Sequence, residues 1–245
     1  MNYLVKFNPT TRLDKHKINN KNLNFLLHKR FFWMREYTHN KKKKIIELGS
    51  GNGFVKKFLG KHIITSDILK NKNIDYIIDM NRPWKSQKII NNTDVFIMNH
   101  ALHHSDHPIN LIKYLHKNLK KNGYILINEP EISLVFKFFL KIFNHERWDT
   151  NIKNSKKKYF WRENNATGRL LFEGKSVGDK FLNYKIKANE LSEFLIFLNS
   201  SGNGIDAPHI KLNKTFLNLI NLFDNLLIKI FPGIFALNRK IILQK

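Results

Sequence analysis

An acid followed by glycines at alternate positions, Glu47-Leu48-Gly49-Ser50-Gly51-Asn52-Gly53, is the stretch of this chain best suited to hold a nucleotide. Glycines let a backbone turn tightly and approach a ligand, and the start of a following helix offers unpaired N–H groups. The flanking residues supply the elements this needs. Lys43 to Leu48 is short, β-branched and bordered by charge, as a buried strand is, and Phe54 to Leu59 has helical spacing. A second apolar run, His62 to Asp67, also ends in an acid. Asp67 lies 18 residues after Gly49 (67 − 49), near the ~20 at which a ribose-binding carboxylate follows such a loop. A third run, Ile74 to Ile78, ends at Asp79-Met80. A fourth, Asp94 to Asn99, leads into His100-Ala101-Leu102-His103-His104-Ser105-Asp106, where histidines bring groups that exchange protons near neutral pH. A fifth, Leu119 to Pro130, closes on Glu129-Pro130.

The loop reads E-x-G-x-G-x-G, one residue tighter than the dinucleotide fingerprint G-x-G-x-x-G. In that form it resembles the first motif of the class I S-adenosylmethionine-dependent methyltransferases. Asn99-x-x-Leu102-His103-His104 is similar to the fourth-motif region of small-molecule members. Leu119 to Leu126 is similar to the family's L-x-P-G-G-x-L turn, with Lys121-Asn122 in place of Pro-Gly. Asparagine tolerates the left-handed conformation such a turn needs, so the departure is mild. The resemblance covers residues 43–131. It implies an α/β, Rossmann-like fold: a seven-stranded, mostly parallel sheet with an antiparallel last strand inserted between the fifth and sixth, and helices on both faces. It implies S-adenosyl-L-methionine as cofactor, held by Glu47, Gly49, Ser50, Gly51, Gly53, Asp67, Ile68, Asp79, Met80 and Asn99. Asp67 would take the ribose and Asp79-Met80 the adenine edge, with the end of the fourth strand facing the transferred methyl. Ile64 to Ile68, Glu129-Pro130 and His145-Glu146-Arg147-Trp148-Asp149 are similar to a bacterial branch with unassigned acceptors, whose members sit among genes for surface-glycan or other envelope metabolism.

Methyl transfer from a sulfonium is an in-line displacement, so the protein positions the acceptor and, for a hydroxyl, removes its proton. His103, His104 and His145 are the expected bases, with Glu129 and Glu146 beside them. The bland alternative for His103 and His104 is a hydrogen bond to the loop or a helix cap. No metal is expected, although His103, His104 and Asp106 would suit one. The acceptor is expected to be an oxygen, or else a nitrogen, of a small molecule or a glycan- or lipid-linked envelope precursor. Amino-group methylators of nucleic acid carry an (Asp/Asn)-Pro-Pro-aromatic tetrad after the fourth strand, and here Asn99-His100-Ala101-Leu102 keeps only the first residue. Short-chain oxidoreductases need Tyr-x-x-x-Lys after the glycine loop, and the Tyr37/Lys41 pair precedes it. A SAM-binding scaffold without turnover is the remaining rival.

The 245 residues suit one domain: an N-terminal lid or packing helix within 1–42, the cofactor core 43–131, an acceptor-side insertion 132–190, and C-terminal strands and helix 191–245. Within these, Asn20 to Thr38 and residues 81–92 read as helices, with Trp84 in the core. A helix starts at Pro108, capped by Ser105 or Asp106, and Phe194 to Leu198 reads as the sixth strand. An apolar helix spans Asn213 to Ile230, and Phe235 to Leu243 is the seventh strand. The net charge of +24 (43 basic minus 19 acidic residues) has two readings. One is a polyanionic partner, with weak attraction to anionic lipid or glycan favoured over nucleic acid. The other is the lysine-rich bias of an AT-rich coding sequence. The absence of cysteine excludes disulfides, thiolate zinc sites and a cysteine nucleophile. No signal peptide is visible and no run reaches the ~20 apolar residues of a membrane span; a SAM enzyme is expected in the cytoplasm, where the cofactor is made. The apolar segments 132–143 and 213–230 leave room for a homodimer face.

Overall fold

The computed structural model describes residues 20–143, 146–157, 159–173, 184–200 and 209–245. Its strands are β1 (Ile45–Leu48), β2 (Ile64–Asp67), β3 (Tyr76–Ile77), β4 (Thr93–Asn99), β5 (Leu119–Pro130), β6 (Lys185–Ser192) and β7 (Asn238–Gln244). They form one seven-stranded sheet in the order β3-β2-β1-β4-β5-β7-β6. β7 runs antiparallel to β5 and β6, and the remaining pairs are parallel. This is the Rossmann-like sheet expected above. The strand order reverses between β1 and β4, and open α/β sheets bind ligands at the carboxyl ends of strands at such a switch point.

The helices in chain order are α1 (Lys21–Phe32), α2 (Arg35–Thr38), α3 (Val55–Leu59), α4 (Gln87–Ile90), α5 (Pro108–Asn118), α6 (Leu134–Ile142), α7 (Thr167–Phe172), α8 (Leu195–Leu198), α9 (Lys214–Ile230) and α10 (Pro232–Phe235). Two apolar layers result. One unites Leu23, Leu26 and Phe31 of α1 with Phe136 and Phe139 of α6, Ile228 of α9 and the Ile45 face of β1. The other packs Leu111, Ile112 and Leu115 of α5 and Leu171 of α7 on Ile46, Leu48 and Phe96. β1 is buried along its whole length, which explains why it reads as a continuous apolar run and not as an alternation.

Several expectations are corrected. Phe194 to Leu198 contains the short helix α8, and the sixth strand is Lys185–Ser192. An unbroken apolar run has no period to separate helix from strand. Here Asp224 of α9 decides, accepting the backbone N–H groups of Phe194, Leu195 and Ile196 at 3.1, 3.0 and 3.2 Å. The true strand is polar because it is the sheet's edge, where lysines discourage further pairing. It also crosses the 190/191 boundary drawn from the sequence. Ser105 and Asp106 do not cap α5: His107 stands at its N-cap without a side-chain bond. The Ser105 hydroxyl accepts from His107 N–H, while Asp106 pairs with Arg162. Trp84 is 59 % exposed and no core residue, since Pro83 starts a 3-10 turn on the surface. The seventh strand is Asn238–Gln244 and does not start at Phe235, because Pro232–Phe235 first turn as α10.

One buried ion pair anchors α1 to the segment after β6. Arg30 Nε donates to Glu193 Oε1 at 2.9 Å and Nη2 to Oε2 at 2.7 Å, both side chains being essentially inaccessible. Removing one partner strands the other charge in the interior. Glu193→Ala should therefore cost about 3–5 kcal/mol in urea unfolding, and a cost below 1 kcal/mol would show the pair to be solvated.

Candidate active site

The glycine loop turns between β1 and α3 with three glycines in the left-handed region, Gly49 at φ +68°, Gly51 at +52° and Gly53 at +69°. Gly49 is also required sterically. A Cβ built there would stand 2.7 Å from Ala101 Cβ, so the loop and the turn after β4 are in contact. Gly51 faces open space, with nothing within 4 Å of a built Cβ. Behind the loop, Glu47 is buried and its Oε2 has no hydrogen-bond partner. Burial, only partly offset by Ser50 and reinforced by the charge of Asp67, pushes its carboxyl up to about 8. A buried acid with an unspent oxygen beside an open cradle is suited to a ligand that carries positive charge.

Asp67 ends β2 as expected. Its Oδ2 accepts from Gly51 N–H at 2.8 Å and its Oδ1 from Leu69 N–H at 3.1 Å, so it also ties the loop to β2. Ser50 is nearly buried, and its hydroxyl is bound to the Glu47 carbonyl and the Ser66 N–H. Ile68 is exposed beside Asp67. Asp79 accepts from Asn81 N–H at 2.8 Å in a local turn. Met80 lies next to Gly49, its Cε 3.6 Å from the built Cβ. The register Leu48↔Met98 sets Asn99 alongside the loop, its Oδ1 accepting from Asn128 at 3.3 Å. These residues therefore gather at the carboxyl ends of β1, β2 and β4 and in the turn after β3.

The histidines after β4 are organised by Glu129, wholly buried near the end of β5. It accepts the backbone N–H groups of Ala101, Leu102 and His103 at 3.1, 2.8 and 3.2 Å, and His103 Nδ1–H at 2.8 Å. His103 Nε2 faces Glu146 Oε2 at 3.5 Å. Burial alone would lower the His103 pKa, but Glu129 and then Glu146 outweigh it and raise it to about 10. His103 is thus an imidazolium clamped between two carboxylates, a poor base. His104 lies against its ring, centroids 4.1 Å apart, with Nδ1 4.0 Å from Glu146 Oε1 and its side chain 44 % exposed. Asn165 donates to Glu146 Oε2 at 3.2 Å. Donor atoms of His103, His104 and Glu146 all lie within 4.8 Å of one another, close enough to share a proton or a small cation. His145 lies outside the described residues. His100 is held neutral by burial and the nearby Arg30 and His103 charges, and its Nε2 bonds Asn238 at 3.0 Å.

Two features escaped sequence reasoning. Glu129 acts on the backbone of the 101–103 turn, which no spacing signals. Gly168 of α7 presses on it, since a Cβ there would meet Glu129 Cβ at 2.9 Å.

The clamp predicts a pH dependence. With a folded pKa near 10 against an ordinary value of about 6.5, His103 contributes stability that is fully present below 6.5 and is lost as pH rises through 10. Side-chain NMR should find His103 protonated where ordinary histidines are neutral, and Glu129→Gln should bring its titration down. A wild-type midpoint near the ordinary value would refute the clamp.

Residues 16–178, about two thirds of the chain, match the family described as methyltransferase domain. The chain belongs to this family. It is a class I methyltransferase, and its cofactor is S-adenosylmethionine. Among solved structures, a SAM-dependent methyltransferase from Archaeoglobus fulgidus is 18 % identical with a TM-score of 0.54, covering 90 % of this chain and 93 % of its own. The plantazolicin methyltransferase BpumL, solved with SAH, is 14 % identical at TM-score 0.48, over 97 % of this chain and 89 % of that one. Coclaurine N-methyltransferase is 8 % identical at TM-score 0.46, over 95 % and 75 %. At such identities the likeness to the first is one of fold, and the other two carry no weight here. No curated protein matches the chain. The buried, unpaired Glu47 oxygen and the open face at Gly51 fit the methyltransferase's cofactor, which carries a sulfonium and an amino group.

Proposed function

We propose that this methyltransferase methylates a hydroxyl oxygen of a small molecule or of a glycan- or lipid-linked envelope precursor, with His104 as the base. The carrying observation is the Glu129–His103–Glu146 network beside the glycine loop, with His104 at its exposed edge. Bound S-adenosylmethionine supplies the electrophilic methyl. Glu47, Asp67, the 49–53 loop, Asp79-Met80 and Asn99 hold and orient it. Glu146 Oε1 lies 4.0 Å from His104 Nδ1, so the carboxylate steadies the imidazolium formed when His104 takes the acceptor's proton. His103 does not exchange its proton in this scheme: its charge positions Glu146, and Glu129 positions His103. Oxygen is preferred over nitrogen because a base built on two carboxylates and a histidine answers the need of a hydroxyl. The segment between β5 and β6, which supplies Glu146, Arg162 and Asn165, forms the acceptor side of a single domain.

No helix of the described residues is long and apolar enough to cross a membrane. We place the enzyme in the cytoplasm, where its cofactor is made. The test is transfer of labelled methyl from S-adenosylmethionine to separated pools of soluble glycans, lipid-linked precursors and RNA. Label in either of the first two pools, lost with His104→Ala, is expected. Label in RNA alone would overturn the reading.

A further inference from the structure

The face built by α6, α9 and α10 is apolar on the outside as well as the inside. On α9 the inner side is set by Leu217, Asp224 and Ile228, all buried. A second stripe at helical spacing, Phe216, Leu219, Phe223, Leu226 and Ile230, is exposed, and Leu222 beside it is 68 % exposed. α6 repeats the pattern: Phe136, Phe139 and Leu140 are buried, while Leu134, Phe138 and Ile142 stand outside, Phe138 at 66 % exposure. α10 packs on both helices, so the outer stripes belong to neighbouring elements of one face. Core packing does not require these residues, and water disfavours them.

Charge identifies what covers this face. Segments 132–143 and 209–235 contain Lys137, Lys141, Lys211, Lys214 and Lys229, and Asp224 is their sole acid. Asp224 is buried and committed to the backbone of Phe194 to Ile196, so these segments show water no carboxylate of their own, and Glu190 of β6, which lines a groove with Ile228 and Lys229 of α9, is paired with Lys240. Exposed lysines, Lys141, Lys211, Lys214 and Lys229 among them, border the stripes. A second copy of a chain of net charge +24 would set these lysines against its own. An anionic bilayer surface meets both requirements, taking the apolar stripe among its acyl chains and the lysines at its headgroups.

We propose that α6, α9 and α10 form a docking face for anionic phospholipid, along which α9 lies in the plane of the membrane. The surface carries this inference by itself, independently of which acceptor is methylated.

The test is co-sedimentation of the full chain with phosphatidylglycerol/phosphatidylcholine vesicles and with pure phosphatidylcholine vesicles. Binding to the mixed vesicles is expected, weakened about tenfold or more on the neutral ones and reduced by salt. Leu222→Glu with Phe223→Glu, both on the exposed side, should abolish it while thermal unfolding and S-adenosylhomocysteine binding stay unchanged. Failure to bind the anionic vesicles, or equal binding to both kinds, overturns the proposal. So does a solution dimer that the same two substitutions dissociate, because the occupant would then be a second copy.

Discussion

Replacing Glu47 with glutamine should weaken S-adenosylhomocysteine binding by about 10- to 100-fold, the worth of one charged hydrogen bond in a buried site. A second consequence follows from its titration. In the free protein the carboxyl is raised to about 8 by burial, so it is mostly protonated at neutral pH. A ligand bearing a cationic amino group favours the carboxylate and drives the proton off. Wild-type binding at pH 7 should therefore release a proton, seen as a calorimetric enthalpy that changes with the buffer's ionisation enthalpy; the glutamine variant should show no such dependence. Stability moves the opposite way. A carboxyl whose folded pKa lies above its ordinary 4.5 is destabilising, progressively from pH 4.5 up to about 8 and constantly beyond. Glu47→Gln should accordingly melt higher than wild type at pH 8 while binding worse. Unchanged affinity together with a buffer-independent enthalpy would remove Glu47 from the cofactor site.

His104→Ala and Glu146→Gln should each slow methyl transfer by about 10²- to 10⁴-fold, the usual range for a general base, while leaving S-adenosylhomocysteine affinity unaltered. His103→Ala should also be slow, but for a different reason. Without the imidazolium, Glu129 faces Glu146 with no charge between them, so His103→Ala should lose stability as well as rate. A chelator should leave turnover unchanged. Loss of activity on chelation, restored by a divalent cation, would reassign the His103, His104 and Glu146 cluster as a metal site. Full activity in both His104→Ala and Glu146→Gln would end the base assignment altogether.

The glycine loop and the strand ends around it were legible because their geometry is local. Gly49 to Gly53 are consecutive, their φ values are demanded by the turn itself, and Asp67 and Asp79 follow strands whose apolar runs stand clear of their neighbours. Asn122, standing where the family has glycine, adopts φ +63° as its residue type allows. β5 was legible to the residue, Leu119 to Pro130. What could not be read depends on contacts distant in sequence. The clamp on His103 needs Glu129, 26 residues away, and Glu146 from a segment with no periodicity of its own. Phe194 to Leu198 looked like a strand until Asp224, about 30 positions later, supplied the cap that makes a helix. The genuine edge strand, Lys185–Ser192, resembles a surface loop because half of its environment is water. The hydrophobicity of α9 was visible in the sequence, as was its room for a homodimer face, but which of its apolar residues lie outside is set by the packing of Leu217, Asp224 and Ile228 against the body.

The central claim is that the cradle after β1 holds the methyl donor through Glu47 and Asp67. It is tested most directly by calorimetric titration of the purified protein with S-adenosylhomocysteine, with NADH as the control ligand and Asp67→Ala alongside. The account predicts one-to-one binding of S-adenosylhomocysteine alone, accompanied by proton release at pH 7 and strongly weakened in a folded Asp67→Ala variant. Binding of NADH, or of S-adenosylhomocysteine with equal affinity in wild type and Asp67→Ala, would contradict it.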